Sequence, residues 1–192
     1  MLSDPLIVVA RLADIFDELG IPYFVGGSLA SSVHGVPRAT NDVDLAAAVK
    51  RAHVAPLVKA LESDFYVAEE LIVEAIRDRA AFNVIHLPTM FKADIFVLEE
   101  SGWPQRQMVR ARTETISSGD VSRAIRFATP EDTILQKLIW YRKGGGVSDQ
   151  QWKDIQGVLK VQGTSLDFDY LEECAILLDI ADLLRRARES VR

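Results

Sequence analysis

The chain has 192 residues, 48% hydrophobic and 26% charged, which is ordinary globular usage and excludes a disordered chain. Its formal net charge of -6 speaks against a surface built to grip nucleic acid, so DNA binding is not expected. The single cysteine, Cys174, excludes an internal disulfide and any zinc site built on several cysteines. In chain order, Ser3-Asp4-Pro5 reads as a helix start with Asp4 as cap. Leu6, Val9, Leu12, Ile15, Phe16 and Leu19 follow at helical spacing until Gly20. Tyr23-Phe24-Val25 reads as a buried strand, and Gly26-Gly27-Ser28 breaks it. Residues 29–34 form one or two helical turns. Residues 42–46 alternate as a second strand, 52–61 and 69–79 read as helices, and 81–87 as a strand. A further strand over 91–98 is apolar enough to expect burial on both faces, with Pro88-Thr89 as a hairpin-like link. Weaker strands are expected over 113–117 and 124–128.

After Thr129-Pro130 the pattern turns helical. Thr129 is the expected cap, Ile134, Leu135, Leu138 and Ile139 form one apolar face, and Gly144-Gly145-Gly146 ends the helix. Ser148 caps the next helix with Gln151 three residues on, and Gly163 ends it. Residues 169–188 form a last helical stretch with a break near Asp179. The expected organisation is an α/β core over 1–128 followed by a helical subdomain over 129–192, packed on the core. No apolar run approaches the ~20 residues of a membrane span. The start Met1-Leu2-Ser3-Asp4 lacks the basic segment of a signal peptide. A cytoplasmic protein without a membrane partner is the expectation.

The residues that carry chemistry lie between 26 and 45, and at Asp94. Asp42 and Asp44, separated by one residue on a strand, point to the same face with Cα atoms ~7 Å apart. That spacing suits two divalent ions ~3.5–4 Å apart, as in phosphoryl-transfer sites. Asp94, inside the apolar run Lys92-Ala93-Asp94-Ile95-Phe96, is costly to bury unless paired or metal-bound, which makes it the candidate third carboxylate. Gly26 and Gly27, between strand and helix, let backbone amides approach a phosphate, and Ser28 adds a hydroxyl or simply caps the helix. Arg38 has the planar fork that matches phosphate oxygens, and a surface or structural charge is the other reading.

The run "GGSLASSVHGVPRATNDVDL" resembles the signature of the DNA polymerase β-like nucleotidyltransferase superfamily: Gly27-Ser28, thirteen residues, then Asp42-Val43-Asp44. It is most similar to the small bacterial nucleotidyltransferases of the AbiEii toxin type and their relatives. Lys137-Leu-Ile-Trp-Tyr-Arg142 has the family's Lys-x4-Arg spacing, and "KDIQGVL" at 153–159 resembles the Asp-bearing helix that follows. The resemblance spans residues 23–159. It implies the nucleotidyltransferase fold, a mixed sheet flanked by helices and followed by a helical subdomain. It also implies an EC 2.7.7-type reaction, in which a nucleoside monophosphate moves from an NTP to an acceptor hydroxyl and pyrophosphate is released. Two Mg2+ ions, or Mn2+, would be held by Asp42, Asp44 and Asp94, and Asp94 would take the acceptor's proton. Gly27 and Ser28 would hold the triphosphate, and Lys137 would reach one of its oxygens.

The acceptor is open between a protein, an RNA end and a small molecule. The role is open between the toxin of a toxin–antitoxin pair, with an antitoxin protein as partner, and antibiotic modification of the aminoglycoside or lincosamide type. A nucleotide-binding module without transfer activity is a third alternative. His34, His53 and His86 lack metal spacing and read as structural, as do Trp140, Tyr141 and Cys174. The glycines at 144–146 lack the pattern of a phosphate-binding P-loop. The basic run at 185–188 reads as a solvated helix end.

Overall fold

The computed structural model describes residues 4–118 and 121–191. The readings placed on Met1, Leu2 and Ser3 lie outside these residues. The chain divides into two compact units, Met1–Gly26 with Thr40–Phe127, and Gly27–Ala39 with Ala128–Arg192. One of the crossings between them follows Phe127. The units themselves are discontinuous, and residues 27–39 belong with the later helices.

The first unit is a seven-stranded mixed sheet with helices. Its elements are α1 (Asp4–Glu18), β1 (Tyr23–Val25), β2 (Asp42–Ala47), α3 (Val54–Leu61), β3 (Phe65–Tyr66), α4 (Glu69–Asp78), β4 (Ala81–His86), β5 (Phe91–Val97), α5 (Gly102–Arg110), β6 (Arg112–Ser118) and β7 (Val121–Phe127). The strand order is β3-β4-β5-β2-β1-β7-β6. β1 pairs antiparallel with β2 and parallel with β7, and β2 pairs parallel with β5. β4 and β5 pair antiparallel, as the link at Pro88-Thr89 suggested.

Helix α1 forms because Val8, Val9, Leu12, Ile15 and Phe16 line one face, and all five are fully buried. It packs across β1, β2, β5 and β7. The core continues into Val43, Leu45, Ala93 and Ile95 of the two central strands. β5 is not buried on both faces as expected. Ala93, Ile95 and Val97 are buried, whereas Lys92, Asp94 and Phe96 on the alternate face are only half-buried. Strand period two separates the charged residues from the apolar ones, so one face of this strand keeps access for polar groups. Sequence reasoning did not anticipate β3 and α5. β3 is two residues long and exists through its pairing with β4, and α5 buries only Trp103 and Gln107.

The second unit is helical: α2 (Gly27–His34), α6 (Pro130–Lys143), α7 (Asp149–Gln162), α8 (Phe168–Leu177) and α9 (Ala181–Glu189). The expected caps are formed. Asp132 N donates to Thr129 Oγ1 at 3.2 Å, and Gln151 N donates to Ser148 Oγ at 3.3 Å. The break near Asp179 is real: this residue has φ +55° and separates α8 from α9. α2 packs on α6 and α7. Gly35, just past α2, makes this possible, because a Cβ there would sit 2.8 Å from Val158 N and 2.9 Å from Gly157 C. His34 is buried and its Nε2 lies 2.7 Å from Ala128 O, in keeping with a structural role. Tyr141 is buried against Trp152 at a ring separation of 5.0 Å, and Cys174 is fully buried. Trp140 is partly exposed.

Candidate functional site

In the sheet unit, the parallel pairing of β2 with β5 sets Asp42 beside Lys92 and Asp44 beside Asp94. Residues in register on neighbouring parallel strands share a face, and the strands lie ~4.8 Å apart. Asp42 and Asp44 are half-buried while Val43 between them is fully buried, so both carboxylates are on the face opposite the core. Asp94 is on that face too, and β4 places the exposed Asn83 beside it. Three carboxylates from two strands therefore share one patch. Thr40 Oγ1 donates to Asp42 O at 2.8 Å and tethers the start of β2.

Lys92 was not singled out from the sequence. Its Nζ donates to Asp94 Oδ2 at 2.7 Å. The hydrogen bond to Asp94 holds the Lys92 ammonium above its ordinary range, and the charges of Asp94, Asp42 and Asp44 add to that effect. The signal was present in the sequence, since Lys92 and Asp94 are two apart on a strand and must share a face.

Divalent metal suits these residues by donor type, because hard cations such as Mg2+ are held by carboxylate oxygens. Among the described residues, however, no three His, Cys, Asp or Glu side chains converge as a metal-holding group. The cation that Asp94 contacts is the ammonium of Lys92. The pairing of β2 with β5 thus sets the three carboxylates on one face, and Asp94 is ion-paired to Lys92 there.

At the end of β1, Gly26 N donates to Asp44 O at 2.9 Å. A Cβ at Gly26 would meet nothing within 4 Å, and Gly27 opens α2 at φ +56°, a conformation that glycine adopts without strain. Ser28 is buried in the first turn of α2, and its backbone oxygen accepts from Ser31 Oγ at 2.9 Å.

In the helical unit, Arg38 and Lys137 meet at one carboxylate, that of Asp154 on α7. Arg38 donates from Nε and Nη2 at 2.9 Å each, Lys137 Nζ at 2.7 Å and Gln150 Nε2 at 2.9 Å. The side chains of Lys137 and Asp154 are 8% and 5% exposed, so this pair is almost fully out of water. Burial alone would raise the Asp154 pKa, but the hydrogen bonds from Arg38, Lys137 and Gln150 outweigh it and hold the carboxyl below its ordinary value. Sequence reasoning placed Arg38 and Lys137 at phosphates. In the structure Asp154 engages both; the resemblance marked its helix as Asp-bearing but did not give these partners. Arg142, the other end of the Lys-x4-Arg spacing, pairs with Asp182 instead.

A scan of protein-family models and a search of curated proteins return no match. Solved structures do match. An antigenic nucleotidyltransferase-like protein from Paracoccidioides brasiliensis is similar at TM-score 0.54 and 22% identity, over 97% of this chain and 93% of that one. ANT(2″)-Ia in complex with adenylyl-2″-tobramycin is similar at TM-score 0.63 and 16% identity, over 93% of this chain and 98% of that one. The solution structure of the antibiotic-resistance factor ANT(2″)-Ia gives TM-score 0.55 and 15% identity, over 96% and 94%. The mixed α/β fold of this chain is the nucleotidyltransferase fold.

Proposed function

We propose that the protein is a nucleotidyltransferase that moves a nucleoside monophosphate from an NTP to an acceptor hydroxyl. The observation that carries this reading is the parallel register of β2 and β5, which sets Asp42, Asp44 and Asp94 on one face of a nucleotidyltransferase fold. Mg2+, or Mn2+, would be held by these three carboxylates and would offset the charge that develops on the transferring phosphoryl group. The acceptor oxygen forms a bond to the α-phosphorus as the bond to the bridging oxygen breaks, and pyrophosphate leaves. Asp94 takes the acceptor's proton, a role its position beside Asp44 supports. By residue chemistry, the amides at Gly26 and Gly27 and the hydroxyl of Ser28 are the proposed phosphate donors. Arg38 and Lys137 are phosphate ligands by side-chain chemistry in this reading, and Asp154 engages both in the structure.

A second reading fixes the acceptor as a cationic antibiotic. It is favoured by the likeness to ANT(2″)-Ia, of whose chain 98% is covered. A toxin role, with an RNA end or a protein as acceptor and an antitoxin as partner, rests on the "GGSLASSVHGVPRATNDVDL" resemblance alone. One experiment separates these readings. The protein is incubated with α-labelled NTPs, Mg2+ and, in turn, tobramycin, lincomycin, total RNA and cell protein. Label in one acceptor class identifies it. Bound nucleotide with no labelled product from any class, under Mg2+ or Mn2+, would show a binding module instead.

A further inference from the structure

Lys92 lies within the carboxylate patch. It is level with Asp42 across the β2–β5 pair and two residues before Asp94 on its own strand. Its ammonium reaches Asp94 Oδ2 at 2.7 Å, and the two side chains are 44% and 23% exposed. Asp44 and Asp94 stand side by side on strands ~4.8 Å apart, where two like charges repel. Asp42 adds a third negative charge on the same face. A lysine in this position supplies the positive charge that the face needs when it holds no metal.

We propose that Lys92 is an internal counter-cation that occupies the place of a divalent metal at Asp94 and yields it when the metal binds. This rests on the reading of Asp42, Asp44 and Asp94 as metal ligands. The ammonium and a divalent ion are both cations and compete for the same carboxylate oxygens. Lys92 has a flexible four-carbon stem and stands at a half-exposed position, so its ammonium can withdraw without moving the strand. The competition lowers metal affinity and keeps the metal-free face from repelling itself. Lys92 is therefore a positioning residue.

The test is calorimetric titration of the full chain with Mn2+, together with metal-free melting curves, for wild type, Lys92→Met, Lys92→Arg and Asp94→Asn. Lys92→Gln serves as a second neutral variant in case Lys92→Met fails to fold. Removing the competing charge is expected to tighten Mn2+ binding roughly three- to tenfold. The same variant is expected to lower the metal-free melting temperature by about 2–4 °C. Lys92→Arg should bind as wild type does, and Asp94→Asn should lose binding. A merely structural lysine would weaken metal binding on removal, not strengthen it. If wild type binds Mn2+ but Lys92→Met and Lys92→Gln bind equally or more weakly, the inference fails while the metal reading stands. The same holds if Lys92→Arg tightens binding as much as Lys92→Met. If wild type binds no Mn2+, or Asp94→Asn binds it unchanged, the metal reading fails and the inference with it.

Discussion

Asp154 serves two cations with one carboxylate. Breaking a buried pair leaves the surviving charges without a partner, at a cost of ~3–5 kcal/mol. Asp154→Asn is expected to lower the unfolding free energy by that order, read by urea unfolding. Adding Lys137→Met to it should recover part of the loss, because the neutral stem can stay buried where the bare ammonium cannot. Strictly additive losses would show that the pair is not coupled. The pH dependence has a definite sign. The folded pKa of Asp154 lies below its ordinary 3.8, so between the two values the unfolded chain binds more protons. Stability from this group is full above the unfolded pKa and drains as pH falls through the folded one. Wild type should therefore lose stability below about pH 4 more steeply than Asp154→Asn. Parallel acid-unfolding curves would remove Asp154 as the cause.

Asp44 makes the opposite case. It stands on a face shared with two other carboxylates, and like charges on one face repel. Asp44→Asn is expected to abolish transfer, keep or raise metal-free thermal stability, and shrink the stabilisation given by Mg2+ with a non-hydrolysable NTP. The check is four melting curves, wild type and variant with and without ligand. A variant that melts clearly lower without metal yet keeps the full ligand shift would make Asp44 a structural residue.

At the scale of elements, two glycines at the ends of α2 differ sharply in what surrounds them. A methyl at Gly35 would meet three backbone atoms, at 2.8 Å from Val158 N and 2.9 Å from Gly157 C and Ser31 O. Backbone cannot rotate away, so Gly35→Ala must push α2 and α7 apart, at a cost of ~1–3 kcal/mol or more. A methyl at Gly26 meets nothing within 4 Å. Gly26→Ala should leave the denaturation midpoint unchanged and weaken nucleotide binding if a phosphate approaches that backbone closely. Equal affinity in wild type and Gly26→Ala, by titration with a non-hydrolysable NTP, would remove Gly26 from the nucleotide site.

At the scale of the whole molecule, the chain passes between its two units three times, after Gly26, after Ala39 and after Phe127. A single cut therefore cannot release a complete unit. A fragment of residues 1–128 keeps α2 but removes α6 and α7, on which α2 packs. Ala30, Ser31 and His34, buried in the full chain, lose those partners. The fragment is expected to aggregate and to bind an apolar dye, by light scattering and fluorescence. A monodisperse fragment with cooperative unfolding would show that α2 does not depend on its helical partners.

Much of the secondary structure was legible because it is written in local periods. The spacing of Val9, Leu12 and Phe16, the caps at Thr129 and Ser148, and the break at Asp179 each depend on a few neighbouring residues. The same locality put Asp42 and Asp44 on one face of a strand, and their pattern with Gly27-Ser28 pointed to the fold. Of the elements not expected, β3 is two residues long and exists through its pairing with β4, whereas α5 buries only Trp103 and Gln107. Sequence by itself determined which residue types could bind metal and phosphate, because that is chemistry carried by each side chain and its strand period. Only the tertiary structure decided their partners. The parallel pairing of β2 with β5 joins segments separated by α3, β3, α4 and β4, and it alone sets Asp94 beside Asp44 and Lys92 beside Asp42. The convergence of Arg38 and Lys137 on Asp154, from three separate segments, is likewise a matter of packing. Long-range pairing is fixed by the fit of whole faces, which no local window of the chain contains.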